Sequence, residues 1–425
     1  MSAKVRRFYD LFIAPAKTYR RPRRSRVLIF DAMWTDLLML FLKPWEPEIL
    51  HLRHESSNAP SLLRAMFDRN FWKGEIMTAY IDAFIQFVQP DLIITLIDND
   101  PRFYTLLQRH PQLTTMVIQN AWRDDWTMQG LRRAAADGAL RVSYLCVLGA
   151  NYDALYRKSV ACEIVRTGLI KNNCVLRTVL SEGKQTIGFV SQYRHPDPTG
   201  TVLQWHLFTW QKFFETPDTI VLHFLKHYAA RTNRKLLVLL TPTSVTDPLR
   251  LEEAYFRRLL GDGYSFFAPQ DIFASVVKTD ECKVVVTVDS TLGLEAIARG
   301  NRAALFYIRS ELCDLPDSRF GWPAEHADDG PFWTNVPDPA IFERIMDFLF
   351  AASDAEWKET LLQHNFERIM EYDPGNTRFK NLLADILGPA PALKRRHPQS
   401  WSYSKFLFCL SPKQFHRVLR KLEHK

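Results

Sequence analysis

Long apolar runs are missing from this chain. The longest tightly apolar stretch, "LLMLFL" at Leu37 to Leu42, falls far short of the roughly 20 residues that a helix needs to cross a bilayer. The cationic residues near the N-terminus are not followed by an apolar segment and a small-residue cleavage site, so no secretory leader is expected and a cytoplasmic location is. Closely spaced cysteines are missing as well. Cys146, Cys162, Cys174, Cys282, Cys313 and Cys409 form no C-x-x-C pair, which predicts reduced structural thiols, and no His/Cys cluster suggests zinc. Short-period repeats are absent, and so are low-complexity tracts beyond an arginine-rich start. What is present is an ordinary globular composition, 47% hydrophobic and 13% aromatic over 425 residues, a length at which two domains are expected.

Positive charge sits at the ends. Residues 1–26 hold nine Lys/Arg against Asp10, and residues 391–425 hold nine against Glu423, so with a net charge of +8 the body between is mildly acidic. A nucleic-acid-binding core would carry its positive stripe on the folded face, and none is predicted here. The ends suit peripheral attachment to an anionic membrane, with "FLFCL" at Phe406 to Leu410 supplying apolar residues, or they are solvated tails.

From Val27 onward short apolar runs alternate with helical patterns. "VLIF", "DLIITLID" (Asp91 to Asp98), "TTMVIQN" (Thr114 to Asn120) and "VSYLCVLG" (Val142 to Gly149) lack the polar alternation of a half-exposed sheet. A second series follows: "TIGFVSQ" (Thr186 to Gln192), "KLLVLLT" (Lys235 to Thr241), "KVVVTVD" (Lys283 to Asp289) and "RAALFYI" (Arg302 to Ile308). The pattern predicts an α/β protein with two Rossmann-like, doubly wound parallel-sheet domains facing across a cleft. Their expected limits are 27–178 and 186–388, the latter with closing helices, joined near Arg177 to Gln185 and flanked by a basic arm, 1–26, and a basic tail, 389–425.

Residues just beyond the strands are therefore the candidates. In "VVVTVDSTLGLEAIARG" (Val284 to Gly300) a strand delivers Ser290 and Thr291 to the mouth of a helix, where free N–H groups and the helix dipole stabilise a phosphate. Gly293 would let a ligand or a neighbouring backbone come close. Glu295, one turn further in, would accept from ribose hydroxyls. The plainer reading is that Ser290 or Thr291 caps a helix and Glu295 favours its positive end.

"DSTLGLEAIARG" (Asp289 to Gly300) resembles the nucleotide-binding segment of GT-B-type glycosyltransferases and their relatives, among them UDP-N-acetylglucosamine 2-epimerases, teichoic-acid glycerophosphotransferases and Kdo transferases. With "ITLIDNDPRFYTLL" (Ile94 to Leu107), "VIQNAWRDD" (Val117 to Asp125), "YLCVLGANYDALY" (Tyr144 to Tyr156), "RTGLIKNN" (Arg166 to Asn173) and "IGFVSQYR" (Ile187 to Arg194), the chain is similar to bacterial surface carbohydrate biosynthesis proteins of GT-B form over most of residues 27–388. The resemblance implies a GT-B-like fold whose C-terminal domain holds a sugar nucleotide, with Ser290 and Thr291 on phosphate and Glu295 on ribose. Ser191, Tyr193 and Arg194 would line the opposite wall, Arg194 as counter-charge to the departing diphosphate.

The N-terminal domain would hold the acceptor. Asp98 is the expected general base, with Asn99, Asn120 and Arg123 as acceptor-side contacts; the alternative is that Asp98 and Asn99 form a turn and cap the next helix. Two departures from the family pattern stand out. Ala121 replaces a glycine, and Thr241-Pro242 stands where several Kdo and sialic-acid transferases carry His-Pro, which argues against a CMP-sugar donor despite His195-Pro196 elsewhere. Aromatic loops at Phe320 to Pro323 and Gly330 to Trp333 border the cleft or anchor the core.

The expectation is thus a glycosyltransferase that moves a sugar from a nucleotide-sugar donor to a cell-surface polysaccharide or lipid-linked glycan acceptor at the cytoplasmic membrane face. No metal and no cofactor beyond the donor substrate is expected, "DND" at Asp98 to Asp100 being in the wrong domain for a diphosphate-bound metal. The alternatives are a sugar-nucleotide epimerase or hydrolase of the same fold, or a non-catalytic scaffold of polysaccharide assembly.

Overall fold

The computed structural model describes residues 16–53, 56–177, 185–196, 208–241, 246–322, 324 and 326–389. Most of the expected domain junction, 178–184, and the basic tail beyond residue 389 lie outside the described residues.

Among the described residues eight strands belong to the N-terminal half: β1 (Ala16–Thr18), β2 (Val27–Phe30), β3 (Glu48–Leu50), β4 (Ser56–Asn58), β5 (Leu92–Thr95), β6 (Thr114–Ile118), β7 (Leu140–Val147) and β8 (Val160–Arg166). Six of them form one sheet in the order β3-β2-β5-β6-β7-β8, every pairing parallel. β2 and β5 are buried along their whole length, as strands covered by helices on both faces must be. The C-terminal half adds β9 (Thr186–Val190), β10 (Lys235–Leu239), β11 (Ser265–Phe267), β12 (Val284–Thr287), β13 (Ala303–Phe306) and β14 (Trp333–Thr334). They form a second parallel sheet, β11-β10-β9-β12-β13-β14. Numbered from its first strand that order is 3-2-1-4-5-6, the doubly wound order in which ligands bind where the winding reverses. The reversal falls between β9 and β12, so the loops after Val190 and Thr287 flank the crevice.

Two expected boundaries move. Residues 16–26 are not a free basic arm. β1 pairs with β4, Arg23 lies 2.8 Å from Glu46, and Arg26 lies 2.6 Å from Asp91. Nor do the closing helices all stay with the C-terminal domain. In the helix Thr377–Leu387 the apolar positions Phe379, Leu383 and Leu387 recur at helical spacing, and they are buried with Val27, Ile29, Leu92, Ile94 and Met116 of the first sheet. Arg26 Nη1 donates to Leu387 O at 2.9 Å, which closes the chain onto its own beginning.

The crossing segment is drawn in tightly. Glu371 N donates to Leu148 O at 2.8 Å, and Gly168, at φ +66°, leaves no room for a side chain because a Cβ there would stand 2.2 Å from Glu371 O.

Candidate functional site

Between the carboxyl ends of the two sheets lies a cavity of about 890 Å³. One wall is the turn from β12 into the helix Thr291–Ala298. Thr287 Oγ1 accepts from Ser290 N at 2.8 Å, and Ser290, extended at φ −73° and ψ 135°, caps the helix by accepting from Leu292 N at 3.3 Å. Ser290, Thr291, Leu292 and Glu295 all line the cavity. The capping reading and the cavity reading therefore hold together at Ser290. Thr291 Oγ1 accepts from Trp122 N of the other domain at 3.1 Å, so the helix mouth is bridged across the crevice.

Gly293 does not face the cavity. A Cβ there would lie 2.5 Å from Thr287 Cγ2 and 2.8 Å from Leu305 Cδ2. Its service is to let the helix settle on β12 and β13, which corrects its expected place at the ligand. Glu295 is 2% exposed; Oε1 lies 3.2 Å from Lys171 Nζ of the N-terminal domain, while Oε2 is buried without a hydrogen-bond partner. Sequence reasoning passed over Lys171, whose pairing is with a residue 124 positions away (171 to 295).

Of the three residues expected after β9, two border the cavity. Ser191 lines it, but its hydroxyl donates to Glu252, a carboxyl pushed above its ordinary value mainly by burial, and accepts from Tyr193 N at 3.0 Å. Tyr193 is turned away. Its ring packs between Tyr255 at 5.0 Å and Trp210 at 6.0 Å, so its role is to hold the loop rather than to bind donor. Arg194 is exposed and lines the cavity, and its guanidinium makes no ion pair with a described residue.

Arg309 was missed. It follows β13, is 5% exposed and lines the cavity. It ion-pairs with Asp289, donates from Nη1 to Gln192 Oε1 at 3.2 Å and from Nε to Phe213 O at 2.7 Å, and lies 4.6 Å over the Phe213 ring. Nη2 is buried without a partner, as is Asp289 Oδ1. A buried guanidinium donor left unpaired costs desolvation free energy that an anion beside it would recover. The signal was its position, three residues past the end of a buried strand in the expected nucleotide domain.

Behind Arg309 stands Asp218, fully buried, accepting from Tyr255 OH at 3.0 Å. Burial pushes its carboxyl up to about 7, with Arg309 and the Tyr255 hydrogen bond pulling the other way.

The N-terminal wall corrects the expected base. Asp98 is 0% exposed and does not line the cavity. Arg123 grips it with two hydrogen bonds, Nε to Oδ2 at 2.8 Å and Nη2 to Oδ1 at 2.5 Å, and Tyr156 OH donates to Oδ2 as well. A carboxylate so enclosed cannot reach an acceptor hydroxyl. Asp98 is the centre of a buried ion pair, and Arg123 is its partner rather than a free acceptor contact, although its edge lines the cavity. Asn99 is exposed and stands off the cavity. Asn120 does line it, held by Arg123 Nη2 at 2.7 Å and by its own donation to Leu96 O.

The N-terminal carboxylate that lines the cavity is Asp124. It caps the helix Asp125–Asp137, accepting from Thr127 N at 2.8 Å, and its Oδ2 accepts from Ser318 Oγ of the opposite domain. Trp122 touches the Tyr307 ring at 5.6 Å. Of the aromatic loops, Phe320 and Trp333 are buried at 3% and 2% and belong to the core. Among the described residues no group of three or more His, Cys, Asp or Glu is placed to hold a metal ion. No described helix is long and apolar enough to cross a membrane.

Comparison with curated protein sequences gives no match. Among solved structures the chain is similar to a UDP-GlcNAc 2-epimerase of Methanocaldococcus jannaschii in complex with UDP-GlcNAc and UDP, at 9% identity and a TM-score of 0.48 over 84% of this chain and 99% of that one. It is similar also to HepE of Anabaena in complex with UDP and glucose, at 11% identity and 0.46 over 86% and 99%. A sucrose-phosphate synthase of Thermosynechococcus elongatus stands at 12% and 0.46 over 86% and 99%. At identities this low nothing about substrate passes from them to this chain. A family model described as "putative O-antigen biosynthesis protein" matches residues 116–387, well over half of the sequence, and to that O-antigen biosynthesis family the chain belongs.

Proposed function

We propose that the chain is a glycosyltransferase that takes a sugar from a nucleotide-sugar donor and passes it to a surface glycan or lipid-linked acceptor at the cytoplasmic face of the membrane. The observation that carries this reading is the meeting, in one interdomain cavity, of the helix start at Ser290 to Leu292 with Arg194 and the half-satisfied Arg309. A cavity of about 890 Å³ is within the usual range for small-molecule sites.

In this reading the donor's phosphates lie at the helix mouth, where N–H groups, the dipole and the guanidinium of Arg194 stabilise negative charge as it grows on the leaving nucleotide. Arg309 Nη2 adds a fixed donor. Glu295 Oε2 accepts from the ribose hydroxyls, Lys171 holding the carboxylate in place. Asp124, not Asp98, takes the proton of the acceptor hydroxyl. Asn120 and the Arg123 edge shape the acceptor side.

The test is a transfer assay with candidate sugar nucleotides, run with and without a glycan acceptor. Acceptor-dependent release of nucleotide is expected, and Asp124→Asn, whose amide oxygen can still accept from Thr127 N while its NH2 donates to Ser318 Oγ, lowers the rate by about 10²- to 10⁴-fold. Rapid epimerisation or hydrolysis in the absence of acceptor would replace the transferase by an epimerase or hydrolase. Normal glycan production in cells carrying Glu295→Ala and Ser290→Ala would leave a non-catalytic scaffold.

A further inference from the structure

The helices Ala59–Ala65 and Arg69–Trp72 are apolar on both sides. Leu62, Ala65 and Phe71 are buried against the domain, as an amphipathic surface helix requires, but the outward face carries Leu63 at 61% exposure, Phe67 at 85% and Trp72 at 71%. Isolated exposed apolar residues are unremarkable; several on one short hairpin mark an interaction surface. Of these side chains, Trp72 is held in place. Trp72 Nε1 donates to Met66 O at 2.9 Å, its ring meets Phe71 edge-on at 5.3 Å, and Asp68 caps the second helix at Asn70 N.

Cations ring the knob. Arg64, Arg69 and Lys73 are exposed on the same hairpin. Arg21 and Arg64 both lie over the Phe87 ring, at 4.5 and 5.3 Å, which brings the arginine segment after β1 to the side of the hairpin. Arg20 joins it there, its carbonyl accepting from Asn58 Nδ2 just ahead of the first helix. Arg20, Arg69 and Lys73 make no ion pair with a described residue. Next to them opens a second cavity, about 440 Å³, lined in part by Arg20, Arg21, Arg23 and His51.

We propose that this hairpin and the arginines beside it form a docking face for the surface of an anionic phospholipid bilayer. Phe67, Trp72 and Leu63 enter the boundary between headgroups and acyl chains, where an indole with its N–H satisfied and an aliphatic side chain are both stabilised. Arg20, Arg21, Arg64, Arg69 and Lys73 meet lipid phosphates, and the arginine-lined cavity receives a headgroup. Charge complementarity selects a lipid surface over an apolar protein groove: exposed apolar tips inside a ring of cations without counter-ions match the layering of a bilayer, apolar below and anionic above. The face lies on the folded N-terminal domain, separate from the tail beyond residue 389, and does not depend on the reaction assigned to the cleft.

The test is sedimentation of the full chain with vesicles of phosphatidylcholine alone and of phosphatidylcholine with phosphatidylglycerol. The unaltered protein is expected to sediment with the anionic vesicles. Phe67→Ser combined with Trp72→Ser lowers binding about tenfold or more for each side chain. Arg20→Glu combined with Arg21→Glu removes the preference for anionic vesicles, about fivefold for each charge lost. Melting curves check that each variant is folded at the temperature of the binding assay. A second readout is independent of affinity: lipids brominated on the acyl chain quench tryptophan emission of the parent, and Trp72→Phe, which still binds, loses that quenching. Failure to bind anionic vesicles overturns the proposal. So does undiminished binding by the Phe67/Trp72 and Arg20/Arg21 variants, which would hand the contact to the tails or leave the face to a protein partner.

Discussion

Asp98 and Arg309 show how a single side chain's role depends on partners that linear sequence hides. Both sit near the carboxyl end of a strand. Asp98 meets Arg123 and Tyr156 and disappears into the core, whereas Arg309 meets Asp289 yet keeps one donor unpaired beside the cavity. Asp98→Asn removes the counter-charge of a guanidinium that is itself buried, and is expected to destabilise the fold by about 3–5 kcal/mol, measured by urea unfolding. A variant of unchanged stability would return Asp98 to the list of solvent-accessible groups.

Asp218 gives a prediction of opposite character. Its carboxyl, ordinarily near 3.8, is pushed up to about 7 in the folded chain, so between those values the folded state binds a proton that the unfolded state has released. Stability contributed by this group is therefore complete below about pH 4, falls as pH rises through 7, and is flat above. Asp218→Asn, neutral at every pH, is expected to gain stability relative to the parent as pH rises from 4 to 7, by a few kcal/mol in order of magnitude. Parallel curves for the two proteins in melting experiments across that range would contradict it.

At the scale of elements, β2, β5, β6, β7, β9, β10, β12 and β13 were legible because strands covered on both faces are written largely in apolar residues. β3, β11 and β14 were not. They span only three, three and two residues, too short for a run of apolar residues to stand out, and each is a strand only by pairing with its neighbour β2, β10 or β13. β8 carries the alternating burial of an edge strand, a pattern that its polar residues share with loops. The helix after β12 was legible from Ser290 onward, and Ser290 caps it, but that Gly293 packs on the sheet rather than beside a ligand was not legible, since the side of the helix it occupies depends on where Thr287 and Leu305 stand. Gly293→Ala would push that helix off its sheet, and is expected to cost about 1–3 kcal/mol. It would also lower affinity for any ligand at the helix mouth. Unfolding midpoint and ligand titration check the two effects separately, and an Ala variant as stable as the parent would mean that the helix has slack against β12.

The whole molecule is closed by contacts that no local pattern announces. Thr291 with Trp122, Asp124 with Ser318 and Glu295 with Lys171 span the crevice at the cavity itself. Deeper in, Asn172 accepts from Arg299, which also pairs with Asp280, all three side chains being buried. The helix Thr377–Leu387 then returns to the first domain. The buried Asn172, Arg299 and Asp280 group and the returning helix join the two domains away from the cavity.

The most direct measurement is the melting temperature of the chain with UDP, GDP, dTDP and CMP and their sugars. The helix mouth and its arginines are predicted to bind at least one of these, with stabilisation of about 2.7 kcal/mol at a hundredfold excess over the dissociation constant. The shift is predicted to shrink in both Arg194→Ala and Glu295→Gln. No shift with any nucleotide, or an equal shift in the parent and both variants, would contradict the placement of a sugar nucleotide in this cavity.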